Sequence, residues 1–190
     1  MNDSKQPAII VDIDGTAALG INKHRGPYDY NKCGDDEPNL PVWLCISLFF
    51  DRFIKSGGGK IIFLSGRENV SFPGKSERKD ISYRRALYDG KEHKSCYDLT
   101  EHWIYNNFKK FVSYKPFYPG DTDSQYHYWE LHMRPEGIYL EDSEVKYQMY
   151  QDLVKDKYAI LFVLDDRDQV VNMWRNHANL SCFQVAPGNF

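Results

Sequence analysis

Residues 9–16 read Ile-Ile-Val-Asp-Ile-Asp-Gly-Thr, and the interpretation of the chain starts from them. The short apolar run predicts a buried strand that delivers Asp12 and Asp14 and then stops at Gly15. Side chains alternate along a strand, so the two carboxylates would share a face unless a turn at Gly15 carries Asp14 to another angle. Acids at the end of a buried strand are costly unless they bind a cation or exchange protons. The stretch therefore predicts a metal-dependent active site.

The composition is that of one globular domain with a real core. The chain has 190 residues, of which 42% are hydrophobic and 27% are charged. The formal net charge of −3 gives no global basic field, so any contact with nucleic acid must come from a local patch. The aromatic share of 15% is high and points to an aromatic surface or a packed insert.

The cysteines and the absence of targeting signals favour a cytoplasmic protein. Neither zinc-ligand spacing nor a disulfide framework is present among Cys33, Cys45, Cys96 and Cys182. The first residues lack an apolar signal region, and no run approaches the roughly 20 apolar residues of a transmembrane helix. We therefore expect no membrane partner. The six histidines also show no metal-ligand spacing.

Apolar runs alternate with helical patterns along the chain. Strands are predicted at 8–11, 60–64 and 160–164, with weaker ones at 129–133 and 182–186. Helices are predicted over 41–56, 143–157 and near 168–178. The apolar stripes of the first two would be formed by Leu44, Leu48, Phe49, Phe53 and Ile54, and by Val145, Met149 and Leu153. This alternation predicts an α/β fold with a parallel sheet covered on both faces.

Polar residues follow three of the predicted strands, where ligands bind in such sheets. They are Asp12 and Asp14, then Ser65-Gly66-Arg67, then Asp165-Asp166-Arg167. Helix caps and surface turns would explain any one of these sites, but three together favour a functional mouth.

The residue types at this mouth suit phosphate chemistry. Mg²⁺ takes oxygen ligands, which the acids at 12, 165 and 166 would supply. Asp12 could attack phosphorus, and Asp14 could protonate the leaving oxygen and later activate water. The phosphate oxygens would be bound by Ser65, Arg67 and a point charge on Lys146. A solvated helix lysine is the alternative for Lys146.

In order, Asp12-Ile-Asp14-Gly-Thr, Leu-Ser65-Gly-Arg67, Lys146 and Asp165-Asp166 resemble the four motifs of the haloacid dehalogenase superfamily of phosphatases. The resemblance implies a three-layer Rossmann-like fold. Only about 25 residues separate Gly15 from the predicted 41–56 helix, and 133–142 is shorter still, so we expect a small flap and no large cap. The resemblance also implies an aspartyl-phosphate on Asp12 and acid/base work by Asp14. The Ser65 and Lys146 side chains would hold the phosphoryl group. Mg²⁺ would be bound by Asp12, Asp165, Asp166 and the backbone carbonyl of Asp14.

A narrower resemblance is to the 3′-phosphatase domain of phage polynucleotide kinase–phosphatases. It rests on Arg25-Gly-Pro-Tyr-Asp29, on Met133-Arg134 with Asp142-x-x-Val145-Lys146, and on the run from Asp166-Arg167 to the end of the chain. It adds Arg25, Arg67 and Asp142 to the functional set, and we also expect Gly66 and Arg134 among the phosphate- or substrate-binding residues. Asp142 would orient Lys146 from one helical turn away.

The chain also departs from that family. Ile138 and Leu140 stand where the family has an Asp and an Arg, so one polar network is missing or rebuilt. The segment 68–130 aligns poorly and is treated as an insert. Its basic residues and its aromatics, among them Tyr105, Phe108, Phe111, Tyr114, Phe117 and Tyr118, suit a single-stranded nucleic acid. Equally, the residues Tyr97, Thr100, Trp103, Ile104, Phe108 and Phe111 fit one helix whose apolar side is core.

The sequence therefore predicts one phosphatase domain over residues 1–190, without a kinase domain. Its expected substrate is a 3′-phosphate end of DNA or RNA in nucleic-acid repair, and its expected cofactor is Mg²⁺. A separate kinase or ligase partner would fit this role, and the compartment would be the host cytoplasm if the protein is phage-encoded. The alternatives are a small-molecule or nucleotide phosphatase of the same superfamily and a non-enzymatic module that binds nucleic-acid ends.

Overall fold

Five parallel strands form the central sheet in this computed structural model, which describes residues 5–21, 23–55, 58–75, 82–112 and 128–188. The strands are β1 (Gln6–Val11), β2 (Lys60–Glu68), β3 (Trp129–Arg134), β4 (Tyr158–Asp165) and β5 (Cys182–Gln184). Their order is β5-β4-β1-β2-β3, and each neighbouring pair is parallel. All five lie where the sequence predicts strands. The prediction of a parallel sheet is confirmed.

Helices cover both faces of the sheet, which explains why β1 is apolar on both sides. Ile9 and Val11 belong to the core beneath α1 (Leu40–Phe49) and α2 (Cys96–Phe111). Ala8 and Ile10 belong to the core beneath α3 (Asp142–Met149) and α4 (Asp168–Asn176). The fold is therefore the predicted three-layer α/β arrangement.

The strand order reverses beside β1. From β1 the chain moves outward to β2 and β3, then crosses to β4 on the other side of β1 and continues to β5. The crevice at such a reversal, beyond the carboxyl ends of the strands, is where open α/β sheets bind ligands. The register brings Val11 beside Leu164, so Asp12 and Asp165 emerge next to each other.

The predicted apolar stripe on the first helix was wrong in part. Leu44 and Leu48 are 60% and 61% exposed, whereas Trp43 is fully buried. The helix turns Trp43 inward, where its indole N–H donates to the carbonyl of Ala17 at 3.2 Å and its ring packs beside Trp103. The burial of Trp43 sets the rotation of this helix about its axis, and that rotation leaves Leu44 and Leu48 in solvent.

Leu153 was also expected in the core, but it is 37% exposed, and Val154 is buried instead. The reason is a π-helical turn over Tyr150–Val154 that continues α3. Its wider i→i+5 repeat moves the inward position from 153 to 154. A similar π-helical turn, Phe50–Ile54, continues α1.

The segment between β1 and α1 forms a small flap, defined here as residues 17–39. It contains a two-residue antiparallel ladder, Ala18–Leu19 with Glu37–Pro38, and a 3₁₀ helix over Tyr30–Asp35. The flap agrees with the expectation from the sequence.

The described parts of the insert, 68–75, 82–112 and 128–130, contain two short antiparallel ladders and α2. The ladders pair Gly74–Lys75 with Ser82–Tyr83, and Ala86–Tyr88 with Lys91–His93. The α2 side chains expected to be core are buried at Thr100, Trp103, Ile104 and Phe108, so the core interpretation of this helix is confirmed. The aromatic residues Tyr114, Phe117 and Tyr118 lie outside the described residues. Within the described ranges, no helix has the length and apolar character needed to cross a membrane.

Candidate active site

Lys146 is the buried centre of the acid cluster at the sheet end. Its Nζ donates to Asp12 Oδ1 at 2.7 Å and to Asp165 Oδ2 at 2.9 Å, and lies 3.6 Å from Asp142 Oδ2. Burial lowers the pKa of Lys146, but Asp12 and Asp165 outweigh it and hold this pKa well above the ordinary value. The lysine is therefore charged, and the alternative of a solvated helix lysine is excluded because Lys146 is only 1% exposed.

Three carboxylates beside Lys146 could hold a divalent cation. Oxygen atoms of Asp12, Asp165 and Asp166 all lie within 4.8 Å of one another, and all three residues are buried. Burial raises the pKa of Asp12 well above its ordinary value, against the opposing charge of Lys146. Burial and then Asp165 raise the pKa of Asp166 to about 6. The single positive charge of Lys146 does not neutralise the negative charge of these three carboxylates. A set of oxygen donors with excess negative charge fits Mg²⁺.

Local contacts fix these carboxylates. The Asp12 N–H donates to the carbonyl of Leu164 at 3.0 Å, and Thr16 Oγ1 donates to Asp166 Oδ1 at 3.2 Å. Gly15 adopts φ +84°, and a Cβ there would lie 2.1 Å from Asp166 Oδ2. Only glycine meets both requirements, because the left-handed backbone and the contact with Asp166 exclude a side chain.

Asp14 points away from this acid cluster and into a group of arginines. Arg67 donates to it from Nε at 2.9 Å and from Nη2 at 2.7 Å, and Arg25 Nη2 also donates to Asp14 Oδ1. The Asp14 side chain is therefore not among the clustered acids. Its expected contribution to the metal through the backbone carbonyl stays a prediction.

The charge state of Asp14 follows from these contacts. Burial raises the pKa of this carboxyl, but Arg67 and Arg25 together outweigh burial and lower the pKa to about 2. Asp14 is therefore ionised at neutral pH as long as both arginines bind it. A group that displaces the arginines would raise the pKa of Asp14 again.

Asp36 binds both of these arginines. Its carboxylate accepts from Arg25 Nε and Nη2, both at 2.7 Å, and from Arg67 Nη2 at 2.6 Å. Its carbonyl accepts from the indole N–H of Trp103 at 2.8 Å, and Thr100 Oγ1 accepts from Arg67 Nη1 at 3.2 Å. Because Asp36 and Thr100 are buried acceptors for these N–H groups, the two guanidinium groups are held in place before any ligand binds.

The end of β2 bulges to deliver Arg67 to this group. Ser65 pairs with Met133 and Glu68 pairs with Arg134, so two extra residues on β2 interrupt the ladder. Ser65 is fully buried, and its Oγ accepts from the Arg67 N–H at 3.1 Å. A Cβ on Gly66 would lie 2.0 Å from Asp142 Oδ1, so this wall of the site also requires glycine.

Arg134 organises the opposite wall. It donates from Nε to the carbonyl of Gly66 at 3.0 Å and from Nη2 to Asp142 Oδ1 at 3.1 Å. Its Nη1 donates to the carbonyls of Ile138 at 3.2 Å and Leu140 at 2.7 Å. The family has polar side chains at these two positions. In this chain the polar network at Arg134 is built on the backbone carbonyls of the same positions instead.

The described residues around these groups form a cleft of about 350 Å³. Its walls include Asp12, Asp14, Gly66, Arg67, Arg134, Asp142 and Arg167, together with Tyr28 and Tyr30 from the flap. Negative charge lies at the sheet end and arginines lie around it. In such a cleft, the arginines can offset the repulsion between a bound phosphate group and the carboxylates at the sheet end.

Every site residue predicted from the sequence lies at this sheet end. Asp12, Asp165, Asp166 and Lys146 come together, Asp14 meets Arg25 and Arg67, and Arg134 meets Asp142. Their roles in catalysis and binding stay predictions. Sequence reasoning missed Asp36, Thr16 and Trp174, whose indole N–H donates to Asp165 Oδ2 at 3.3 Å. Asp36 lies in an acidic run, Asp35-Asp36-Glu37, that resembles a solvated loop.

The fold and the arrangement of Asp12, Lys146, Asp165 and Asp166 define a member of the haloacid dehalogenase superfamily of phosphatases. The family model of the polynucleotide kinase PNKP phosphatase domain matches residues 6–102 and 81–190, and the chain belongs to that family.

Comparison with other proteins agrees with this assignment. A protein of Autographa californica nuclear polyhedrosis virus, provisionally named as a bifunctional polynucleotide kinase/RNA ligase, is 27% identical over 186 residues. The match covers 97% of this chain and 20% of the viral protein. Two solved structures also match, the Pnkp1/Rnl/Hen1 complex with a TM-score of 0.68 and 28% identity, and the Pnkp1/Rnl/Hen1 RNA repair complex with 0.67 and 29%. Each covers the whole of this chain, which spans 49% and 45% of the matched chains.

Proposed function

We propose that this protein is a Mg²⁺-dependent polynucleotide 3′-phosphatase that removes the phosphate from 3′ ends of DNA or RNA. The observation that carries the proposal is the buried Asp12 carboxylate, bound by Lys146 and flanked by Asp165 and Asp166, at the bottom of an arginine-lined cleft. Membership of the polynucleotide kinase phosphatase family supports a nucleic-acid end as the substrate.

Asp12 is the proposed nucleophile. One of its carboxylate oxygens forms a bond to phosphorus while the bond between phosphorus and the 3′ oxygen of the sugar breaks. Water then attacks the aspartyl-phosphate, which releases inorganic phosphate and restores the carboxylate. Lys146, 2.7 Å from Asp12 Oδ1, keeps this carboxylate oriented and offsets the repulsion between it and the incoming phosphate.

Asp14 is the proposed acid and base, and the substrate itself would prepare it. Incoming phosphate oxygens compete with Asp14 for the N–H groups of Arg67 and Arg25. The carboxyl then loses the contacts that hold its pKa near 2, so its pKa rises and it can carry the proton for the leaving 3′ oxygen. In the second step the ionised carboxylate accepts a proton from the attacking water.

Phosphate binding is assigned to the groups around this cleft. Arg67 and Arg25 bind phosphate oxygens through their N–H forks, helped by the Ser65 hydroxyl and the backbone at Gly66. Arg134 and Asp142 hold the Gly66 wall and the side of Lys146. Mg²⁺, held by Asp12, Asp165 and Asp166, would supply positive charge that stabilises phosphoryl transfer.

The relatives suggest a setting for this activity. The viral relative is named as a kinase and ligase, and the two structures contain Pnkp1 with Rnl and Hen1. We infer that residues 1–190 act as one phosphatase domain that includes the 68–130 insert. We also infer that this domain works beside a kinase or ligase in nucleic-acid repair.

A substrate panel tests the proposal. Purified protein with Mg²⁺ is given a 3′-phosphorylated oligonucleotide, the same oligonucleotide phosphorylated at its 5′ end, nucleoside monophosphates and sugar phosphates. We expect phosphate release from the 3′-phosphorylated oligonucleotide, loss of this activity with EDTA, and loss in Asp12→Asn. Release from small molecules alone would support the nucleotide or small-molecule phosphatase instead. Tight binding of the ends without release would support a non-enzymatic module.

A further inference from the structure

Three consecutive apolar side chains are exposed beside the cleft. In the loop between β3 and α3, Ile138 is 36% exposed, Tyr139 54% and Leu140 41%. Exposed apolar groups are unremarkable singly, but a contiguous group at the mouth of a charged cleft indicates a contact surface. We call residues 138–140 the apolar rim.

The apolar rim is held in place by its backbone. Arg134 donates to the carbonyls of Ile138 and Leu140, and the Ile138 N–H donates to the carbonyl of Pro135 at 3.4 Å. The Gly137 N–H donates to Glu68 Oε1 at 2.8 Å, and Glu68 is 1% exposed. A loop fixed by a buried arginine and a buried glutamate presents its side chains without a large ordering cost when a ligand binds.

A second cleft, of about 390 Å³, joins the rim to the proposed phosphate site. Tyr139 and Leu140 line it together with Glu141, and it shares four lining residues with the phosphate cleft, namely Tyr28, Arg134, Asp142 and Arg167. The two clefts are therefore parts of one continuous depression. Its outer part has aromatic side chains from two segments, Tyr28 from the flap and Tyr139 from the rim.

We propose that this outer cleft is a nucleobase subsite, in which the base of the nucleotide that carries the phosphate stacks on Tyr139. The proposal rests on the proposed function and adds the part of the substrate that this chain recognises beyond the phosphate. Stacking on an aromatic ring accepts any base, since every base has a π-face. The subsite therefore provides affinity for a nucleotide end without selecting its sequence.

The position of the outer cleft selects this occupant. A ligand whose phosphate lies at Asp12 must extend from the phosphate cleft through the shared residues, and the next groups along a 3′-phosphorylated end are the sugar and its base. Arg167, whose side chain is 30% exposed and lines both clefts, adds positive charge at this junction. A sugar phosphate without a base would leave the apolar rim in water.

The first test compares two ends of one oligonucleotide. One ends in a normal 3′-phosphorylated nucleotide, and the other ends in a 3′-phosphorylated abasic residue. Both have the same sugar, ribose or deoxyribose, whichever the protein turns over faster. We expect wild type to prefer the normal end by about 5- to 100-fold in kcat/KM, mostly through KM, as loss of one stacked base would cause. Tyr139→Ala should reduce this preference at least five-fold, whereas Tyr139→Phe should retain it.

A binding experiment separates failure of this proposal from failure of the proposed function. Fluorescence anisotropy of the Asp12→Asn protein measures affinity for the same two ends without any turnover. Preference for the normal end in binding, without phosphate release by wild type, would overturn the phosphatase assignment but support the subsite. Equal affinity for the two ends would overturn the subsite even if wild type releases phosphate from both.

Leu161→Ala is the matched control. Leu161 is 42% exposed, about as much as Leu140, but it lies in the first half of β4, away from the carboxyl end of the sheet. This variant should keep the preference of wild type. If it loses the preference as Tyr139→Ala does, the effect comes from exposed apolar surface in general, and the subsite is overturned.

Discussion

The Nζ of Lys146 lies 2.7 Å from Asp12 Oδ1, and both residues are buried at the carboxyl end of the sheet. Removing the lysine leaves Asp12, Asp142 and Asp165 without their shared cation. We expect Lys146→Ala to lose at least 100-fold in kcat and about 3–5 kcal/mol of metal-free stability, because a broken buried pair leaves uncompensated charge. Steady-state kinetics and urea denaturation measure the two effects.

Lys155→Ala is the control for that variant. Lys155 is exposed, donates to Gln151 Oε1 at 2.8 Å and follows the same helix. Its loss should change stability by less than about 0.5 kcal/mol and leave activity intact. If Lys146→Ala is as mild as Lys155→Ala, the buried lysine is not required for the reaction.

The Asp36→Asn variant tests whether Arg25 and Arg67 must be oriented by the Asp36 carboxylate. Asp36→Asn removes the charge that both Arg25 and Arg67 contact, and the two guanidinium groups then concentrate on Asp14. We expect kcat to fall about 10- to 100-fold, as for other residues that orient contacting groups. The pKa of Asp14 should fall further, which carboxyl NMR can follow. Asp35→Asn, at the exposed neighbouring position, should behave as wild type, and an equal loss there would exclude this role for Asp36.

Gly15 tests the space needed by the acid cluster. Gly15→Ala puts a Cβ 2.1 Å from Asp166 Oδ2 and strains a backbone at φ +84°. We expect Mg²⁺ affinity to fall at least ten-fold and stability to fall by about 1–3 kcal/mol, although no carboxylate is changed. Isothermal titration and thermal unfolding measure these effects. Gly58→Ala is the control, since nothing lies within 4 Å of its Cβ position. Normal Mg²⁺ affinity in Gly15→Ala would contradict the assignment of Asp166 to the cation.

Cation affinity should depend on pH near 6. The pKa of Asp166 is about 6 in the metal-free protein, raised by burial and by Asp165, so the carboxyl is mostly protonated at pH 5 and mostly ionised at pH 7. A cation must displace this proton. Displacement of the Asp166 proton should make Mg²⁺ affinity rise by roughly ten-fold per pH unit up to pH 6, and the contribution of this carboxyl should level off above it.

The same carboxyl affects the metal-free protein with the opposite sign. Its pKa is higher in the folded chain than the ordinary value of 3.8, so the folded state binds more protons, and metal-free stability should fall as pH rises towards 6. Thermal unfolding with and without Mg²⁺, from pH 5 to pH 7.5, measures both trends. In Asp166→Asn this part of the pH dependence should disappear. An unchanged profile would assign it to another group.

The parts of the fold that follow from local patterns could be predicted from the sequence. The apolar runs gave the five strands, and polar residues directly after three of them located the site. Asp12, Lys146 and Asp165 could be grouped because parallel strands end at one edge and because the motifs resemble a known superfamily. The short run of residues 9–16 was sufficient to indicate where the buried acid cluster lies.

Other features depend on contacts that a single sequence does not display. The exposed Leu44 and Leu48 result from the burial of Trp43 against partners in distant segments. The shift from Leu153 to Val154 results from a π-helical turn, which no residue type marks. Asp36 belongs to the site only through Arg25 and Arg67, which lie 11 and 31 positions away in the sequence and donate to its two oxygens. Long-range charge pairing of this kind has no local signature.

The flap is anchored to the candidate site by two of its own residues, Arg25 and Asp36. Arg25 contacts Asp14 and Asp36 contacts Arg67, and both partners lie outside the flap. A swinging movement of the flap would break several buried charge-assisted contacts at once. The entrance therefore stands open at rest, and association is not gated by a lid that must first unlock. No part of the binding free energy is consumed in closing the flap, so on the proposed function all of it is available to displace Asp14 from Arg25 and Arg67.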